Sequence, residues 1–270
     1  MATARVGDIN LEYFMEGSGP PLLMIMGLGG QARSWGEPLL DRLRPNFQTI
    51  RLSNRGTGAS DKPAGPVTIR QMADDAVGLL DTLAIEKAHV MGISMGGMIS
   101  QELVLAHPER VQGLILGCTF CGPARGAPAS PEVAVRMANI GSLPIPERIQ
   151  EFWRITVSPE FLERGQQFLD DIIRIHLDTP TPWETFGKQF LAVQSWGSYD
   201  RLPEIKKPTL VIHGDKDLLI TYPNMAILAE RIPGARTHTV SGAGHMFFWE
   251  QPEEVGAAVT GFLSGVPAAA

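Results

Sequence analysis

The chain has 270 residues with 29 glycines, 21 prolines, two cysteines and a formal net charge of −6. That charge is spread without runs, so it gives no basic footprint for nucleic acid and no polybasic patch for an anionic membrane, and neither partner is expected. The opening MATARVGDIN holds no apolar stretch suited to a signal peptide or a bilayer span, which places the expected site of action in the cytoplasm.

The length suits a single large α/β domain carrying an insertion. Residues 5–16 alternate in polarity as an edge strand or hairpin does, and Gly17-Ser18-Gly19-Pro20 is a strong turn. Leu22–Met26 is continuously apolar, as in a parallel strand covered on both faces. It runs into Gly27-Leu28-Gly29-Gly30, a loop whose backbone can approach a ligand closely. Trp35–Leu43 reads as a helix and Phe47–Leu52 as another short buried strand, ending in SNRGTGASD over 53–61. That loop lacks the G-x-G-x-x-G spacing and the lysine-hydroxyl ending of a phosphate cradle, which argues against a nucleotide.

From Thr68 the residues Ile69, Met72, Ala76, Leu79, Leu80 and Leu83 recur at helical spacing. This helix delivers the chain to AHVMGISMGGMIS over 88–100, which reads as a buried strand, a glycine turn and a helix start. Reversing a strand into a helix within a few residues strains the pivot, Ser94, and requires almost no side chain two residues before and after it. Gly92 and Gly96 meet that need, and Gly97 lets the helix lie close to the sheet. The pivot hydroxyl is thereby presented at the carboxyl end of the sheet, beside the amides that open the helix. His107-Pro108 stops that helix.

Val111–Cys118, Thr209–His213 and Arg236–Val240 are the remaining strands, and Pro252–Leu263 is the last helix. Cys118 and Cys121 lack the following helix N-terminus that activates a redox pair, since Gly122-Pro123 comes next, and they read as packing residues. Strands alternating with amphipathic helices imply an α/β fold with a doubly wound, mostly parallel sheet, whose site lies at the carboxyl ends of the strands. Residues 123–202 lose the strand signal, are broken by Pro128, Pro131, Pro144, Pro146, Pro159, Pro180 and Pro182, and are rich in Trp and Phe. They read as a helical cap, leaving 1–122 and 203–270 as the core. Val266–Ala270 reads as a loose tail.

A serine hydroxyl needs a base to attack. Gly242-Ala243-Gly244-His245 places an imidazole in a loop directly after the last strand, at the end of the sheet where Ser94 lies. The imidazole in turn needs an anion to hold its tautomer, and Asp215 and Asp217 both follow the strand 209–213. Asp217 is preferred, because the turn must leave the strand before a side chain reaches the histidine loop; Asp215, beside Lys216, then serves the turn. Asp61, Asp75 and Asp81 read as solvated or capping groups. The amides of Leu28 and Met95 are placed to hold an oxyanion. The six histidines lie far apart without cysteine or carboxylate at ligand spacing, so no metal is expected. An apolar pocket is expected, lined by residues among Gly29, Trp35, Phe120, Trp153, Phe186, Trp196 and Met246.

Five stretches in order, MGLGG (26–30), SNRGTGASD (53–61), GISMGG (92–97), VIHGDKD (211–217) and GAGHMFFWEQPEEV (242–255), resemble the α/β-hydrolase superfamily over nearly the whole chain. The resemblance implies Ser94 as nucleophile, Asp217 as acid, His245 as base, oxyanion amides from Leu28 and Met95, and no cofactor. It is most similar to the small capped esterases, enol-lactonases and cofactor-free haloperoxidase-like enzymes. Met26 stands where many relatives have histidine, and Ser53 where relatives often have aspartate. A serine at the elbow argues against dehalogenases and epoxide hydrolases of this fold, which attack with aspartate. The expected substrate is a small-to-medium, fairly apolar ester cleaved through an acyl-enzyme. The same three residues also serve lactone hydrolysis, or carbon-carbon bond hydrolysis if Arg125, Arg136, Arg154 or Arg174 meets a substrate carboxylate. A silent receptor of this fold would be favoured by a lost triad member, and none is missing.

Overall fold

The computed structural model describes residues 1–266. β1 (Ala2–Val6) and β2 (Ile9–Glu16) form an antiparallel hairpin turned at Gly7. The short apolar runs become β3 (Pro21–Ile25), β4 (Gln48–Leu52), β5 (Ala88–Ile93), β6 (Val111–Gly117), β7 (Thr209–Gly214) and β8 (Arg236–Val240). These strands make one eight-stranded sheet in the order β1-β2-β4-β3-β5-β6-β7-β8. β2 joins β4 antiparallel, and every later pair is parallel. Alternate residues of β3 point to opposite faces, Leu23 and Ile25 into one apolar layer and Leu22 and Met24 into the other.

The helices that fill those layers are α1 (Glu37–Leu43), α2 (Ile69–Thr82), α3 (Met95–Ala106), α4 (Pro131–Asn139), α5 (Ile145–Thr156), α6 (Pro159–Arg164), α7 (Gln166–Asp178), α8 (Trp183–Gln194), α9 (Pro223–Arg231), α10 (Phe247–Glu250) and α11 (Pro252–Leu263). On one face lie α2, α3 and α9; on the other, α1, α10 and α11. Thr68 caps α2 by accepting from Gln71 N, and the spacing-predicted residues Ile69, Met72, Ala76, Leu79 and Leu80 form its buried stripe. Between β6 and β7 come α4 to α8. The prolines that interrupt the sequence pattern open these helices, with Pro131 and Pro159 first in α4 and α6, and Pro144 and Pro182 just before α5 and α8.

Three expectations are corrected and one helix is added. Trp35–Leu43 is not one helix: Ala32–Trp35 forms a separate 3-10 turn, and the chain breaks at Gly36, whose φ of +79° favours glycine and where a Cβ would sit tightly, 3.3 Å from the Trp249 indole. The helix α9 arises between β7 and β8, where none was anticipated. Val266 is not loose, since it packs partly buried against the α11 side of the core; the rest of the expected tail, 267–270, lies outside the described residues. Asp75 is neither solvated nor a cap. It is buried on α2, and the Arg55 guanidinium grips it through Nε at 2.6 Å and Nη2 at 2.7 Å. Burial pushes the Asp75 carboxyl up while Arg55 holds it down. The helical pattern could not reveal this partner, which arrives from the 53–61 loop. Asp81 instead pairs at the surface with Arg110 at 2.7 Å, and Asp61 accepts from the backbone and side-chain amides of Asn10.

Among the described residues no helix is long and apolar enough to cross a membrane, and no group of three or more His, Cys, Asp or Glu side chains is arranged to hold a metal ion.

Candidate active site

The central strand β5 ends at the pivot. Ser94 has φ +55° and ψ −125°, outside the ordinary allowed regions, a strain of order 1–3 kcal/mol that the surroundings must impose. They do so through hydrogen bonds: Ser94 N donates to Gly117 O at 2.9 Å, and Ser94 O accepts from Gly97 N at 2.9 Å and Thr119 Oγ1 at 2.8 Å. A Cβ on Gly92 would meet Gly96 O at 2.1 Å, and one on Gly96 would meet Ile25 O at 2.0 Å. The close approach that the motif predicts is therefore present on both sides of the pivot. The Ser94 side chain faces Gly27, and its hydroxyl hydrogen-bonds to no described residue.

Asp217 and His245 meet at the ends of β7 and β8. Asp217 Oδ1 accepts from Leu219 N at 2.9 Å and Ile220 N at 3.0 Å, and Oδ2 accepts from His245 Nδ1 at 2.7 Å. His213, fully buried on β7, donates from Nε2 to Ile220 O at 2.7 Å and brings the same nitrogen to 3.2 Å from Asp217 Oδ2. Burial opposes the charge on Asp217, but the His245 charge and hydrogen bonds from both histidines pull its pKa down to about 2. For His245, burial works against protonation, and the Asp217 carboxylate, with a smaller contribution from the neighbouring Cys118, holds the imidazole well above its ordinary pKa. With Nδ1–H committed to Asp217, Nε2 is the nitrogen that can take a proton.

A general base must be neutral, Asp217 stays ionised at all working pH values, and a raised His245 pKa moves the loss of base toward higher pH. For a reaction that uses the neutral His245 ring as its base, kcat/KM is expected to rise with pH along a one-proton limb whose midpoint lies above 6.5, the ordinary histidine value. A pH–rate profile checks this, and a limb centred below that value contradicts it.

The loop after β3 faces the pivot. Gly30 N donates to Gly27 O at 3.1 Å and Gly29 has φ +70°, the positive value that the third position of a type II turn requires. The Leu28 amide in this turn and the Met95 amide opening α3 donate to no oxygen of the described residues, so both are available to a ligand at a helix N-terminus. Ser53 anchors the loop, accepting from Ala32 N at 2.9 Å and donating to buried Glu12 at 2.6 Å.

The expected pocket residues separate into groups. Phe186, on α8, lies over Gly29, its ring 3.0 Å from where a Cβ would sit, and stacks on Trp183 at 4.7 Å. Met246, partly buried, follows His245 and donates its N–H to Thr156 O. Phe120 is partly buried against the α3 layer. Trp196 commits its indole N–H to Glu102, which Arg201 also grips. Trp35 and Trp153 are core residues instead: Trp35 packs fully buried on Phe248, and Trp153 on Phe161 and Trp249. A tryptophan's size makes it equally suited to core or pocket, and its sequence position does not separate the two. Both cysteines are free and buried; the Cys118 thiol neighbours His245, and burial pushes its pKa up.

Three further residues shape the site without having been anticipated. Glu250 on α10 accepts from Gly244 N, Ser158 N and Ser158 Oγ, tying the histidine loop to the residue that caps α6. Gln189 on α8 accepts from Gly29 N. His213 supports Asp217 as described. Only His213 carried a sequence signal, as the residue that ends the apolar run before Gly214-Asp215.

Comparison with known proteins gives the family and the fold. A sequence profile of the alpha/beta hydrolase family matches residues 22–258. A RutD protein of Azorhizobium caulinodans, whose name assigns it carbamate hydrolysis, is 31% identical over 272 residues, covering 98% of this chain and 99% of the relative. The crystal structure of an enol-lactonase from Burkholderia xenovorans superimposes with a TM-score of 0.86 at 29% identity, over 97% of this chain and 100% of the other. A thermophilic esterase from Thermogutta terrifontis superimposes with a TM-score of 0.83 at 27% identity, over 98% of each chain.

Proposed function

The chain belongs to the alpha/beta hydrolase family, and from that premise we propose that it is a serine hydrolase that cleaves a small-to-medium, fairly apolar carboxylic ester. Ser94 attacks the carbonyl, His245 takes its proton and later gives it to the leaving alcohol, and Asp217 holds the imidazole and stabilises its charge. The amides of Leu28 and Met95 receive the oxyanion. Residues 123–202 act as the cap over this site, with Phe186 closing on the oxyanion loop. The acyl-enzyme is then hydrolysed by water through the same histidine.

The observation that carries this reading is the buried Asp217–His245 pair at 2.7 Å, on the same rim of the sheet as a serine held at φ +55°. A resting hydroxyl without a partner among the described residues fits a base that engages once substrate is bound. Treatment with a fluorophosphonate should label the protein stoichiometrically, with the adduct mapped by peptide mass to Ser94. No adduct, or an adduct elsewhere, removes the mechanism.

Lactone hydrolysis is the second reading, favoured by the enol-lactonase likeness. Ring opening followed by proton release, compared with a p-nitrophenyl ester chain-length series, separates the two. Carbon-carbon bond hydrolysis gains no support. Of the arginines considered for a substrate carboxylate, Arg136 and Arg154 pair with Glu151, Arg174 pairs with Asp171, and Arg125 lies over Tyr199.

A further inference from the structure

Resting on the serine hydrolase reading, we propose that Gln189 is a positioning residue for the oxyanion loop, so that the cap helix α8 sets the geometry of the Leu28 amide. Gln189 is fully buried. Its Oε1 accepts from Gly29 N at 2.9 Å, and its Nε2 donates to Arg55 O at 3.1 Å. The two partners fix the direction of the amide, because a backbone N–H can only donate and a backbone carbonyl can only accept. Arg55 is itself immobilised by the two-point contact with Asp75, so the bridge runs from α2 through the 53–61 loop and α8 to the turn at 27–30.

The bond lands on the sensitive atom. Gly29 N belongs to the central peptide of the Gly27–Gly30 turn, and the orientation of that peptide distinguishes type II from type I turns. Thr181 Oγ1 donates to Gly29 O at 3.1 Å, and the Phe186 ring covers the same residue. With the central peptide held from the cap side, the turn keeps the shape that leaves the Leu28 amide unpartnered beside Ser94. With Gln189 removed, Gly29 N and Arg55 O lose their partners in a buried setting, and rotation of the central peptide is the cheapest way for Gly29 N to regain one.

The test compares Gln189→Leu, which removes both bonds, with Gln189→Glu, which keeps only an acceptor for Gly29 N. Lys188→Ala serves as control: Lys188 ties α8 to the carbonyls of Pro63 and Ala64 and touches nothing at the turn. Each is assayed on a p-nitrophenyl ester and for inhibition by an alkylboronic acid, which becomes tetrahedral on the serine. For Gln189→Leu we expect kcat to fall about 10- to 100-fold, part of the loss caused by deleting an oxyanion donor outright. KM should change by less than about threefold and boronate affinity should weaken by the same factor as kcat, because ground-state binding does not use the oxyanion amides. Gln189→Glu should fall between Gln189→Leu and wild type, and Lys188→Ala should match wild type. Wild-type kcat and boronate affinity in Gln189→Leu overturn the proposal, as do losses shared equally by Lys188→Ala. If Gln189→Leu fails to fold, Gln189→Glu decides on the same two readouts. A wild-type protein that neither labels with fluorophosphonate nor cleaves any ester or lactone removes the parent reading as well, whereas an active wild type indistinguishable from Gln189→Leu removes this one alone.

Discussion

Ser94→Ala is expected to lower kcat for ester hydrolysis by about a millionfold while leaving the protein folded, the scale seen when a serine nucleophile is deleted from a complete triad. The substitution removes Oγ and nothing else. Alanine keeps the Cβ that already lies against Gly27, and the hydrogen bonds to the backbone of residue 94, from Gly97 N, Met98 N and Thr119 Oγ1 and to Gly117 O, are independent of its side chain. Circular dichroism and the thermal midpoint should therefore stay close to wild type. Residual turnover above the uncatalysed rate should persist at a low level, because the amides of Leu28 and Met95 still stabilise charge on a bound carbonyl. A variant that keeps more than a hundredth of the wild-type kcat would require a different nucleophile. Cys118 is the nearby alternative, yet it is fully buried and its thiol pKa is pushed up by that burial, the opposite of what an attacking thiolate needs. Ser94→Ala, and a Cys118→Ala that leaves the chemistry working, together assign the role.

The parts legible in the sequence are those fixed by local pattern. Mostly apolar runs gave β3, β6 and β7 within a residue or so, because a strand covered on both faces carries few polar positions to confuse its ends. The elbow was legible because steric demand at Gly92 and Gly96 leaves little freedom of residue type. Ser94, Asp217 and His245 each follow a recognisable strand, and topology alone brings strand ends together. What stayed hidden depends on partners far away in the chain. Asp75 looks like any exposed helical aspartate until Arg55 folds onto it, and Gln189 looks like any helical glutamine until Gly29 does. The division of the tryptophans between core and pocket is hidden for the same reason, since Trp35 meets Phe248 across more than two hundred residues.

Asp217→Asn should lower kcat by about ten-thousandfold with KM little changed, and the geometry says why the loss is so large for the exchange of one atom. Oδ1 receives two backbone N–H groups, from Leu219 and Ile220, so an asparagine must place its carbonyl oxygen there and turn its NH2 toward His245 and His213. Facing a donor, His245 Nδ1 becomes an acceptor, the proton moves to Nε2, and the nitrogen that should take the Ser94 proton no longer can. His213 adds to the misfit. Its Nε2–H is fixed by the Ile220 carbonyl and lies 3.2 Å from Oδ2, so two donors would oppose each other in a fully buried space. Loss of the carboxylate also removes the attraction that holds the His245 pKa up, and the acid limb of the pH–rate profile should move to lower pH as the residual activity is measured. Asp215 provides the contrast. It accepts from Gly242 N at 2.7 Å and Ser241 Oγ at 3.1 Å, capping the turn from outside the pair, and Asp215→Asn should cost less than about tenfold, as the loss of a half-buried turn contact away from the pair does. Comparable losses for the two substitutions, or an unmoved acid limb in Asp217→Asn, would show that the carboxylate orienting His245 is not the one at position 217.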